Sequence, residues 1–245
     1  MSPVLPALRR SQDTGLDYYL VLPEGGPHGS SASRVEGIVV EEFDLAGDFT
    51  TTALNGAGWT AADGEWWSSA AFGREMRRDP RLRSRVVAAR RQEAEAAYRR
   101  LGGGDLPDET GLRARFRDPQ PLPVAPPLRF GPADVPEGYH DRRVYRLLFA
   151  GEPDDGCPGR LRGLWGMTPP DDRADPGVAG RAGRRTARDA FTWDLRRIGP
   201  GVAWSLDLTA CLGTSSDAAL GPLLRELTTT MRHEGLIPVT VERFS

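Results

Sequence analysis

Lysine is absent from all 245 residues, so the 32 basic side chains counted apart from histidine are all arginines. A Walker-type phosphate loop, a kinase phosphate-binding lysine, a pyridoxal-phosphate Schiff base and a lysine-dependent aldolase each need a side-chain amine, and this chain supplies none. Cysteine is almost as scarce. Cys157 and Cys211 stand far apart with no C-x-x-C spacing, which excludes a disulfide framework and a paired-thiol redox or zinc motif and fits a reducing compartment. His28, His140 and His233 are scattered in polar surroundings without metal-ligand spacing. There is no G-x-S-x-G elbow for nucleophilic hydrolysis. No apolar run reaches membrane-spanning length, and the opening "MSPVLPALRR", broken by Pro3 and Pro6, lacks the form of a signal peptide. These absences describe a cytoplasmic protein with no membrane partner, and no cofactor or metal is expected.

What is present is a chain of ordinary globular composition, 39% apolar and 27% charged, with 21 prolines and 29 glycines that imply much loop. The net charge of −2 draws it towards no polyanion, so any anion site must be local. "DPQPLPVAPPLRFGPADVPEG" (118–138) disfavours both helix and central strand. We read it as the linker, residues 119–138, between an amino-terminal subdomain (1–118) and a carboxyl-terminal one (139–245).

Both subdomains read as α+β, with mostly antiparallel sheets each packed against a helix. In the first, "DYYLVL" and "RVEGIVVEEFDL" are rich in strand formers. Asp79-Pro80 and Gly102-Gly103-Gly104 bracket an expected helix from Pro80 to Leu101, whose apolar stripe includes Val86, Val87, Ala94, Ala97 and Tyr98. In the second, "RRVYRLLFAG" reads as a strand, Leu161 to Met167 as another short one, and residues 168–188 as a flexible loop. "AFTWDLRR" and "VAWSLDLTACL" alternate with period two and form a hairpin pairing Leu195 with Trp204, Trp193 with Leu206 and Phe191 with Leu208. A helix capped by Ser215 or Ser216 and a final strand "IPVTVERF" complete a hairpin–helix–strand unit.

The hairpin reading bears on "RRIGPG" (196–201), whose R-x-x-G-x-G spacing occurs in acyl-CoA-dependent N-acetyltransferases. There the loop must run into a helix whose free N–H groups hold the pyrophosphate, and here it runs into a strand. A second pattern is the order Arg146, Ser215, Glu242, loosely similar to that of ADP-ribosyltransferases; Thr240 stands where a second acid is usual. It makes a small transferase using arginine and carboxylate groups one alternative function. His140 beside Asp141 is a further candidate base, although neighbouring strand residues point to opposite faces.

Binding candidates come from arginine and tryptophan. Arg90, in the middle of the expected helix stripe, is a candidate contact for a carboxylate or phosphate. Arg181, Arg184, Arg185 and Arg188 in "GRAGRRTARD" resemble arginine-rich segments that order on phosphate, which makes an arginine-dependent nucleic-acid binder the other alternative. Trp66 and Trp67 in "GEWW" are candidates to anchor a partner's surface. With no convergent catalytic set, the reading we favour is a non-catalytic intracellular binding or accessory protein whose partner is another protein.

Overall fold

Tyr18, Tyr19 and Val21 are buried on alternating sides of one short run, which therefore belongs in the middle of a sheet with both faces covered. The computed structural model, which describes residues 15–24, 35–123, 134–168, 177–199 and 203–244, places it there. The chain divides into two compact units, Met1–Gly47 with Thr51–Pro123, and Asp48–Thr50 with Val124–Ser245. Each is α+β with an antiparallel sheet.

In the first unit, β1 (Asp17–Val21), β2 (Gly37–Leu45), β3 (Thr51–Thr60) and β4 (Trp66–Ser68) are followed by α1 (Ala70–Arg78), α2 (Pro80–Arg83), β5 (Val86–Ala89), α3 (Arg91–Arg100), α4 (Glu109–Arg113) and β6 (Gln120–Pro121). The sheet order is β4-β3-β2-β1-β5, with β6 also pairing β3. One face packs Tyr18, Ile38, Val40 and Trp59 against Ala94, Ala97 and Tyr98 of α3 and Leu112 of α4. The other face meets α1 and buries an ion pair. Arg77 of α1 donates from both terminal nitrogens to Glu41 of β2, at 3.2 and 2.9 Å, with side chains only 6% and 2% exposed.

The expected helix over Pro80–Leu101 is corrected to a turn of helix, a strand and a second helix. Asp79 caps α2, accepting from the Arg81 N–H at 2.8 Å, but α2 lasts only four residues. The β-branched pair Val86-Val87 then takes the open edge of β1, in the register Val21↔Val86 and Leu20↔Val87. α3 starts afresh at Arg90, whose N–H donates to the Glu93 carboxylate at 2.7 Å. The first residues of the stretch read as a linker belong to the first sheet: Gln120 and Pro121 pair with Leu54 and Ala53.

In the second unit, β7 (Asp141–Ala150), α5 (Cys157–Trp165), β8 (Val178–Arg185), β9 (Ala190–Ile198), β10 (Ala203–Leu212), α6 (Leu220–His233) and β11 (Ile237–Arg243) build a sheet of order β11-β7-β10-β9-β8. Alternation sends Tyr145, Leu147, Phe149, Phe191, Trp193, Leu195, Leu206 and Leu208 to one face, where α5 and α6 cover them. Leu223, Leu224, Leu227 and Met231 form the buried stripe of α6. Gly235, at φ 87°, ends that helix in a conformation other residues adopt at a cost, and Leu236 then donates to the Met231 carbonyl.

Four expectations for this unit are corrected. Leu161–Met167 is not a strand: Pro158 opens α5, buried Cys157 and Leu161 stand one turn apart on its inner face, and Gly166 at φ 58° closes it. The flexible loop read over 168–188 contains β8, in which Val178, Gly180 and Ala182 face inward beside β9; residues 169–176 lie outside the described residues. Neither Ser215 nor Ser216 caps α6, which begins after Ala219. Pro222 therefore falls in its first turn, where the missing N–H has no intrahelical partner to lose. The hairpin meets the expected parity but is shifted by two residues, since Leu206 faces Leu195 and Leu208 faces Trp193. A shift of two preserves the inward face, so period alone does not distinguish the registers.

Candidate functional site

The same alternation that buries one face of the second sheet lines up charge on the other. Arg181 of β8, Asp194 of β9, Asp207 of β10, Arg146 of β7 and Glu242 of β11 are successive cross-strand partners. Asp194 directly opposite Asp207 would be repulsive by itself. Arginines offset it from both sides. Arg146 holds Asp207 with two bonds of 2.7 Å, Arg181 holds Asp194 with bonds of 2.6 and 2.7 Å, and Arg196 reaches Asp207 at 3.2 Å. The Asp207 contact keeps Arg146 more firmly protonated than a free guanidinium, and its charge also lies 5.3 Å from the Phe244 ring.

Of the transferase candidates, Arg146 and Glu242 are therefore brought together as register partners. Ser215 is exposed in the connection beyond the end of β10, and Arg146 is engaged by Asp207. His140 is exposed, and its neighbour Asp141 is turned to Arg143, which donates to it at 2.8 Å and holds its carboxyl below the usual range. Arg90 is exposed at the start of α3 rather than within an apolar stripe.

The arginines of "GRAGRRTARD" do not share a surface. Arg181 points to the open face, while Arg184 crosses to α6 and binds Glu226 with bonds of 2.8 and 2.6 Å. Arg185 and Arg188 are exposed. A strand sends alternate residues to opposite sides, so this run does not present the single basic face that a phosphate backbone requires.

Trp66 and Trp67 separate in the same way, one to each face of edge strand β4, and both are partly exposed. Trp66 lies 5.6 Å from the Tyr98 ring, which meets Trp59 edge-on at 4.8 Å, and the exposed Arg115 places its guanidinium 5.3 Å from Trp66. Trp67 meets Phe72 edge-on at 5.7 Å and lies over Gly58, where a Cβ atom would run into its ring. No family model, curated protein or solved structure matches the chain.

Two features were not legible beforehand. Arg115 sits in "LRARF" with no spacing that ties it to Trp66; the connection after α4 brings it there. The other is a recess of about 300 Å³ on the helix side of the second sheet, lined by residues of α5, β8, β9 and α6 including Leu164, Trp165, Trp193 and Glu226. Seeing it requires α5 to be a helix, and the sequence reading had a strand there. Among the described residues no three potential ligands from His, Cys, Asp and Glu gather as a metal site, and no helix is long and apolar enough to cross a membrane.

Proposed function

We propose that the chain is a non-catalytic intracellular binding protein that acts through protein–protein contacts, with β4 of the first unit at the centre of its docking surface. The observation that carries this reading is the partly exposed Trp66, backed by the buried Tyr98 ring and flanked by the exposed Arg115 guanidinium on one face of β4, with Trp67 against Phe72 on the other. Tryptophan, tyrosine and arginine dominate binding energy at interfaces because they pair a large apolar area with a directed polar group. Among the described residues no strand pairs with the outer edge of β4. Engagement of Arg146, Arg181 and Arg184 by carboxylates of their own unit favours binding over anion chemistry. Two free thiols suit a reducing compartment.

A photo-crosslinking residue placed at Trp66, with a control at Arg185 in the other unit, tests the reading in the producing cells. A discrete partner protein should be captured from position 66 and not from 185. Arg115→Ala should then weaken binding of that partner about fivefold or more. Identical capture from both positions, or none from position 66, would rule the surface out.

A further inference from the structure

At the opposite end of the first sheet from β4 the edge strand is β5. Leu22 donates to the Arg85 carbonyl at 2.8 Å, one step beyond the paired residues Val21 and Val86. Antiparallel pairing alternates, so Arg85, Val87 and Ala89 turn their peptide groups towards β1, and Val86 and Ala88 turn theirs outward. Among the described residues no backbone group bonds to those outward N–H and C=O groups. The side chain between them, Val87, is 37% exposed.

Sheet edges are ordinarily blunted, because a row of open peptide groups recruits another strand. The second sheet shows two such devices. β11 carries Pro238 and a shift of register beside it, and on the outer side of β8 Thr168 exchanges both backbone bonds with Arg181. β5, with the sequence VVAA, has no proline, no charge and no shift of register.

Charge at its two ends selects what can pair with it. Residues 80–92 contain five arginines and neither Asp nor Glu. Arg83 is bonded to the Arg77 carbonyl, Arg85 to Glu36, and Arg91 to the Tyr18 hydroxyl and the Pro107 carbonyl. Arg81 and Arg90 are exposed, and among the described residues no carboxylate pairs with either side chain. A second copy of the chain would bring two such sets of arginines together, whereas an acidic segment would answer them.

We infer that β5 accepts, as an added edge strand, an extended segment of another protein in which a short apolar run is bounded on both sides by Asp or Glu. Its backbone bonds to the outward groups of Val86 and Ala88, an apolar side chain covers Val87, and its acids meet Arg81 and Arg90. The inference does not depend on the β4 surface.

Two synthetic peptides with the centre Val-Thr-Val-Thr-Val test it, one with Asp-Glu and one with Lys-Lys at both ends. Each is titrated into the full chain by calorimetry, and amide exchange is followed by NMR. The acidic peptide should bind about tenfold more tightly than the other at low salt and slow exchange of the Val86 and Ala88 amides. Ala88→Pro removes an outward N–H that β1 does not use, so the fold should survive and binding should fall about tenfold or more. Arg90→Glu, at an exposed position, should narrow the preference between the peptides. Equal affinity for the two peptides, unchanged exchange at Val86 and Ala88, full binding by Ala88→Pro, or an unaltered preference in Arg90→Glu would each overturn the assignment, and the first two need no variant to fold. Concentration-dependent dimerisation that Ala88→Pro abolishes would overturn it in favour of a second copy.

Discussion

Glu41 shows what one residue can require of its neighbours. It lies on β2 with its carboxylate 2% exposed, and such a group is tolerated only when an opposite charge answers it. Burial works against the charge on Arg77, but Glu41, then Tyr19 and Asp17, outweigh it and hold the guanidinium more firmly protonated than in water. A third bond, from Arg77 to the Gly73 carbonyl at 2.6 Å, ties the pair to α1, and a Cβ at Gly73 would collide with the carboxylate. Arg77→Met should therefore cost about 3–5 kcal/mol in urea unfolding, because it strands a buried charge. Glu41→Met with Arg77→Met should recover most of that loss; a double variant as unstable as the single one would show that the pair is not the cause. The polar residues were all visible in the sequence. Their meeting was not, because Glu41 and Arg77 are 36 positions apart and no spacing rule joins a strand to a helix on its face.

Elements in the second unit are joined by ion pairs of a different kind. Arg184 of β8 and Glu226 of α6 are each 46% exposed, so solvent screens them and the pair is worth less than about 1 kcal/mol. Arg184 holds the Glu226 carboxyl below its ordinary value near 4.5, against some opposing burial. A carboxylate whose pKa is depressed on folding contributes above its unfolded value, and the contribution disappears as the pH falls through the folded value. Arg184→Gln should thus lower the melting temperature by about 1–3 °C at neutral pH. The difference from the parent chain should close below about pH 4. A constant difference across that range would mean that packing, not charge, joins β8 to α6.

Over the whole chain, each unit has its own core, one around Ile38, Trp59 and Tyr98 and the other around Leu147, Leu206 and Leu227. Apart from Asp48–Thr50, which go with the second unit, the division falls between Pro123 and Val124, inside the proline-rich stretch. We expect residues 1–123 and 124–245, expressed separately, each to show a cooperative thermal transition and near-ultraviolet circular dichroism. A half that stays unfolded alone would mean that its core is completed by the other.

By itself the sequence determined the inward faces of β9 and β10, that β7 is a strand, and that a helix and a closing strand follow where α6 and β11 lie. Period and punctuation are local properties, read from residues a few positions apart. It also excluded lysine chemistry outright, because a missing functional group is missing in every fold. Tertiary structure decided whether Val86 and Val87 continue a helix or take the free edge of β1, and which of two same-parity registers the hairpin adopts. It also decided that Arg181 and Arg184 turn to opposite sides while Arg146 and Glu242 become neighbours. Those outcomes depend on which backbone edges and which distant charges are brought within a few ångströms, and only the folded chain sets those distances.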